Sequence, residues 1–324
     1  MAIGRLGWLS LLPLLAIGCS QHAAAPANGA SPATTGLPAS TSAATAGAAP
    51  ARVPGGVDEG PRIVMSPDYV HIEYHLYGRG DPAVVLIHGW ACDANYWYAQ
   101  RDALKARYTV VALNLAGHGA SGSNRSDWSI TNYAQDVAAV AREIPNPRLV
   151  LVGHGMGATV ALAATPIIGS RVIGIIAVDA LRSIGEPRLT ARDVEIGVAP
   201  LREDFIGATR RLVTDSLFRK DADPVLVQKV AYDMSLERPA VAIPSLQALL
   251  SMDFAPLLPA IHVPVYAINS DLAPTDAARV RKALPDFHLD VLDHSGHFLM
   301  MEAPARFNPL LIKDIDALEA RATH

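Results

Sequence analysis

From about Tyr69 onward, short apolar runs alternate with longer stretches whose apolar residues recur every three to four positions. Ala83–His88, Thr109–Asn114, Leu149–Gly153, Val172–Val178, Val263–Ile268 and His288–Leu292 have the length and continuous apolarity of strands buried on both faces. Tyr69–Tyr77 alternates instead, as an antiparallel edge pair does. Amphipathic stretches at about 95–106, 131–144, 156–168, 276–284 and 304–320 read as helices between them. The alternation predicts an α/β fold with a mostly parallel, doubly wound sheet covered on both faces. It lapses between about Leu181 and Pro259. There Phe205–Phe218 and Pro224–Met234 have a helical period and no strand signal, which predicts an inserted helical cap at about 181–259.

The first part of the chain follows neither pattern. Arg5 precedes a 12-residue apolar stretch, Leu6–Ile17, too short to span a bilayer as a helix, so residues 1–18 are expected to be an export signal. Leu15-Ala16-Ile17-Gly18-Cys19 resembles a bacterial lipobox, with Ala16 where Leu is usual. The resemblance implies cleavage before Cys19 and a lipid anchor on that cysteine. Of residues 20–56, 31 of 37 are Ala, Pro, Gly, Ser or Thr, and Arg52 is the one fixed charge. Such a segment has almost nothing to bury and is expected to be a disordered linker with a reach of roughly 30–35 Å. Residues 19–56 are therefore a lipidated tether and 57–324 the functional domain. The expected location is the bacterial cell envelope, and Ser20 after the cysteine favours the outer membrane if the source is Gram-negative.

Composition adds mostly exclusions. Half of the 324 residues are hydrophobic, 18% are charged and the mean hydropathy is +0.22, which fits neither a disordered chain nor a polytopic membrane protein. Net charge is −4, and the part from residue 57 onward carries 25 basic and 31 acidic residues, so nucleic acid is not an expected partner. Cys19 and Cys92 do not make a disulfide scaffold, and no His, Asp or Glu cluster has metal-ligand spacing. No cofactor or metal is expected, and the expected partner is a small-molecule substrate or ligand.

Four motifs each follow a predicted strand, where open α/β sheets gather their sites. They are His88-Gly89-Trp90, Asn114-Leu-Ala-Gly-His-Gly-Ala-Ser121, Gly153-His154-Gly155-Met156-Gly157 and Ser295-Gly296-His297-Phe298-Leu-Met-Met-Glu302. In this order, residues 69–318 resemble the α/β-hydrolase family, of the kind with a helical cap and with esterases, haloperoxidases and epoxide hydrolases among its members. The resemblance implies acyl transfer: a serine on a sharp strand-to-helix turn attacks a carbonyl, a histidine takes its proton, and a carboxylate orients the histidine. His297 stands at the base position. The backbone N–H groups of Trp90 and Met156 stand where the family holds the oxyanion, and Gly153 and Gly157 are the elbow glycines. His88 and His118 match residues that hydrogen-bond around the oxyanion loop.

The departure is at the nucleophile. The family elbow reads Gly-x-Ser-x-Gly, and here the central position is Gly155, which has no side chain. Glycine relieves the positive-φ strain of that turn while deleting its chemistry. Activity is accordingly expected to be impaired or atypical, and a non-catalytic binder of a small apolar ligand between cap and core is the other reading. Phe205, Phe218, Met234, Met252 and Trp90 are candidates to line such a site. The acid also departs from the pattern, because Ala273 occupies its usual place after the seventh strand. Asp271, two residues early, and Asp179, at the end of Val172–Val178, are equal candidates. Cys92 reads as a small half-buried residue of the loop after Trp90.

Overall fold

The computed structural model describes residues 60–323. The export signal, Cys19 and the linker to residue 56 lie outside the described residues. Eight strands form a single sheet: β1 (Arg62–Met65), β2 (His71–Tyr77), β3 (Ala83–Ile87), β4 (Thr109–Leu113), β5 (Leu149–His154), β6 (Val172–Val178), β7 (Val265–Ser270) and β8 (Phe287–Leu292). Their spatial order is β1-β2-β4-β3-β5-β6-β7-β8. The pairs β1/β2 and β2/β4 are antiparallel, and every pair from β3/β4 to β7/β8 is parallel. The central strands β3, β4 and β5 are buried at every position, which is why they read as unbroken apolar runs.

Three strands differ from expectation. β1 completes the antiparallel pair on the outer edge, but it has only four residues, too few for a visible alternation. Tyr69 belongs to the turn rather than to β2. It has φ +64°, and the Ser66 hydroxyl accepts from the Val70 N–H, closing the chain between the strands. β7 begins at Val265 rather than Val263, because Pro264 has no N–H to give a ladder.

Helices α1 (Tyr98–Leu104), α2 (Ile130–Glu143), α3 (Met156–Ile168), α8 (Ala277–Ala283), α9 (Leu299–Glu302) and α10 (Pro304–Ala322) cover the sheet. The cap consists of α4 (Ala191–Glu203), α5 (Phe205–Leu212), α6 (Pro224–Ser235) and α7 (Pro239–Leu250). Thr190 and Asp193 form a capping box at the start of α4, and Asp204 and Asp223 cap α5 and α6. The predicted helix Phe205–Phe218 is not uniform. After Leu212 it widens into a π turn, Val213–Leu217, and Phe218 is extended. Among the described residues no helix is long and apolar enough to cross a membrane.

Candidate active site

The elbow sits between β5 and α3. Gly155 has φ +51° and ψ −115°, a backbone conformation that side chains other than glycine's resist. The two flanking glycines have a different cause. A Cβ on Gly153 would lie 2.3 Å from the Gly157 carbonyl oxygen, and one on Gly157 would lie 2.4 Å from that of Ile87. These glycines let the strand, the helix and β3 approach one another closely, and they do so without reference to what stands at 155.

His297, in the loop after β8, reaches the elbow from the other side. A Cβ built on Gly155 would lie 3.2 Å from His297 Nε2 and 3.4 Å from Cε1. The opposite ring nitrogen, Nδ1, is 2.7 Å from Asp179 Oδ2. Asp179 follows β6, its N–H donating to Ile268 of β7 and its φ at +47°. Burial raises its proton affinity, but contacts with His297 and with the Arg182 guanidinium outweigh this and hold the carboxyl well below the usual range. An ionised carboxylate only accepts, so Nδ1 of His297 carries a proton toward Asp179, and Nε2 is the ring nitrogen that faces residue 155.

This geometry decides between the two carboxylates. Asp179 touches His297. Asp271 does not; its Oδ1 is 3.3 Å from the Ser295 N–H and 3.4 Å from Arg219 Nη1. The reason is the register at the strand ends. β6 and β7 run side by side, and the Ser270 N–H donates to Asp179 Oδ1 at 2.7 Å, so the orienting carboxylate already fills the space that β7 would supply. Ala273 contributes its carbonyl, which accepts from Arg182 Nε at 3.1 Å.

Arg182 was not anticipated as part of the site. Its Nη2 is 2.5 Å from Asp179 Oδ1 across a non-helical loop with positive φ at Asp179 and Leu181, so the spacing alone gives no signal in the sequence. Glu302 is a second such residue. Its two oxygens accept from the N–H groups of Gly296 and Phe298, on either side of His297.

Two further histidines, His88 and His154, are buried and hydrogen-bonded near the elbow. His88 Nδ1 donates to the Gly89 carbonyl, and its Nε2 accepts from the Leu115 N–H, so the ring is neutral. Burial pushes its pKa well below the usual value. His154 of the elbow lies under His297, with ring centroids 4.4 Å apart. Its Nε2 donates to the His297 carbonyl at 3.0 Å, and burial takes its pKa down to about 3.

Trp90 and Met156, the expected oxyanion donors, lie in the loop after β3 and at the start of α3. Met156 is the first residue of α3, where an N–H has no acceptor within the helix. Trp90 follows Gly89 directly, and its indole donates to the Ala242 carbonyl of α7 at 2.7 Å, tying this loop to the cap. Cys92 is buried, and burial raises its thiol well above the usual range, as expected for a packed rather than a reactive cysteine.

Of the residues considered for an apolar site, Trp90, Phe205, Phe218 and Met234 are core. Met252 borders a cavity of about 440 Å³ with Ser183, Arg188, Leu249 and Phe254. That cavity lies at the two chain crossings into the cap, and its lining includes neither Gly155 nor His297.

The profile of the alpha/beta hydrolase family matches residues 84–310. The chain belongs to this family. Karrikin insensitive 2 receptor CA of Petunia hybrida is 26% identical over 271 residues, which cover 74% of this chain and 94% of that one. Among solved structures, an esterase from Exiguobacterium antarcticum superposes with a TM-score of 0.71 at 21% identity, covering 78% of this chain and 98% of that one. A bromoperoxidase from Bacillus anthracis superposes with a TM-score of 0.70 at 18% identity, covering 79% and 100%. These likenesses agree with the alpha/beta hydrolase sheet described above.

Proposed function

We propose that this alpha/beta hydrolase is an atypical ester hydrolase in which His297, oriented by Asp179, activates water in place of a serine. The observation that carries the reading is the pair of distances at His297: Nδ1 is 2.7 Å from Asp179, and Nε2 faces position 155 at 3.2 Å from where a Cβ would stand. The base and its orienting acid keep the arrangement that acyl transfer requires. Water attacks the ester carbonyl and gives its proton to Nε2. The N–H groups of Trp90 and Met156 hold the oxyanion. The tetrahedral centre then collapses, breaking the bond to the alkoxide, which takes the proton back from His297 as alcohol; no acyl-enzyme forms. Without a covalent nucleophile the rate is low.

Gly155→Ser tests the reading. Turnover of a short-chain aryl ester should rise by about 10³-fold or more, since loss of a triad serine costs about 10⁶-fold in a well-studied protease. Gly155→Ala should give no rise. A fluorophosphonate probe should label the serine variant at residue 155 and leave the native chain unlabelled. If serine restores nothing, the reading is wrong. A second reading, a pseudo-hydrolase that binds a small apolar ligand, draws support from Gly155 itself and from the receptor in its petunia relative's name. That reading gains if Gly155→Ser stays inactive.

The same proposal includes an anchored location. It rests on Cys19 after the apolar segment Leu6–Ile17. Labelled palmitate should be incorporated into the native chain in a bacterial host and not into Cys19→Ala.

A further inference from the structure

The cap meets the base loop through three consecutive residues. The π turn Val213–Leu217 aims the Leu217 carbonyl at the core, where it accepts from the His297 N–H at 2.7 Å. Phe218 stacks on Phe298, with centroids 5.4 Å apart and planes 22° apart, and Phe298 in turn stands edge-on to His297. Arg219 faces Asp271 at 3.4 Å, and Asp271 accepts from the Ser295 N–H. Gly296 is what allows the approach. A Cβ there would lie 2.7 Å from the Leu217 oxygen and 3.0 Å from Phe218 Cα.

We propose that cap residues Leu217–Arg219 are a positioning element for His297, anchored on the core by Asp271. This deepens the reading of His297 as the base and rests on it. The two backbone groups of His297 are held from different bodies. Its carbonyl is held by His154 of the elbow, and its N–H by the cap. Moving the cap segment therefore turns the peptide that precedes His297 and swings its ring relative to Asp179 and residue 155. A misplacement of about 1 Å at a reacting group can cost about 10²-fold in rate. Leu217 is the last residue of the π turn and Phe218 is extended, so the Leu217 carbonyl has no donor within the helix and is free to accept from His297. Asp271 thus has a role in holding the loop that carries the base, though not the role of orienting its ring.

The test uses the full chain in the Gly155→Ser background with p-nitrophenyl acetate, a substrate too small to depend on cap contacts. Gly296→Ala, Arg219→Gln and Asp271→Asn should each lower kcat by about 10-fold or more, with KM within about twofold. Arg202→Gln, which removes an exposed pair with Glu195 on α4, is the control and should change neither. A second readout does not depend on turnover. In ¹⁵N-labelled native chain, the His297 backbone amide and its Nδ1–H resonance should shift in the three variants together with the amides of residues 217–219. A rise in KM at unchanged kcat, or His297 resonances that stay in place while the cap amides move, would overturn the proposal. If Gly155→Ser gains no turnover, the base reading fails, and the resonances still decide whether the cap positions the ring. If Gly296→Ala does not fold, Arg219→Gln and Asp271→Asn carry the test, as both side chains are partly exposed and neither substitution adds bulk.

Discussion

At the carboxyl end of β5 the chain keeps a positive-φ turn whose usual purpose is to present a side chain, and it has none there to present. At the ends of β6 and β8 it keeps the side chains themselves, held by a dense set of partners. The turn at Gly155 survives because other residues require it. Gly153 and Gly157 are fixed by backbone contacts with α3 and β3, and the Gly155 N–H donates to Val178 of β6. The base side is held by groups that have no other evident purpose. Asp179 accepts from Arg182, from the Ser270 N–H and from His297, and Glu302 accepts from the N–H groups of Gly296 and Phe298. A buried carboxylate with this many donors is costly to assemble, and one of its donors is the half-buried His297, whose Nε2 faces residue 155.

The sharpest way to break this comparison is to restore the missing group. Gly155→Ser should raise ester turnover by about 10³-fold or more and at the same time destabilise the chain by about 1–3 kcal/mol, because serine must take φ near +51°. Both shifts are expected together, in turnover and in denaturant unfolding. A gain in activity at no cost in stability would mean that the elbow relaxes, and the retained geometry would then be a poor guide.

In that background the two carboxylates should separate. Asp179→Asn should lower kcat by about 10³–10⁴-fold, the scale found when the orienting aspartate of a serine protease becomes asparagine. Asp271→Asn should cost about 10-fold through the loop. Equal losses would put Asp271 in a role its 3.3 Å contact with Ser295 does not suggest.

In the sequence, the elbow glycines and the helix α3 follow from a buried run ending in a glycine-rich turn, and His297 stands out through the resemblance of its loop motif to the family. The choice between Asp179 and Asp271 was not legible, because it depends on the register of β6 against β7 and on a hydrogen bond from Ser270, 91 residues away from Asp179. The π turn was also hidden. Val213–Leu217 continues the apolar period of α5, and only the Leu217 bond to His297 marks the change. β1 escaped notice for a simpler reason, since four edge residues carry too little pattern.

The elbow side can be probed for stability alone. Gly157→Ala removes no polar group of the site yet places a Cβ 2.4 Å from the Ile87 oxygen and 2.5 Å from the His88 oxygen, both backbone atoms of a buried strand end. A loss of about 3 kcal/mol or more is expected in denaturant unfolding, on the scale of overpacking against rigid neighbours. The same substitution at Gly169, where a Cβ would meet nothing within 4 Å, should cost only the strain of φ +80°.

A contrast with the well-partnered Asp179 lies on α10. Asp314 is almost fully buried, and neither of its carboxyl oxygens has a hydrogen-bond partner among the described residues, although Lys313 lies 3.6 Å away. Burial raises its pKa to about 7, with Lys313 opposing the shift. The folded value therefore lies above the unfolded one near 3.8, so the native state holds the proton more tightly. The stability this supplies is complete below about pH 4, declines as pH rises toward 7 and is gone above it. Asp314→Asn keeps the shape and removes the titration. Its unfolding free energy should match the native chain's near pH 4 and exceed it by about 1–3 kcal/mol at pH 8, the range for one buried unsatisfied group. Denaturant midpoints at the two pH values check this. An asparagine variant that is less stable at pH 8 would mean the Asp314 carboxylate is paired in solution, and that the difference between a partnered and an unpartnered buried carboxylate does not hold in this fold.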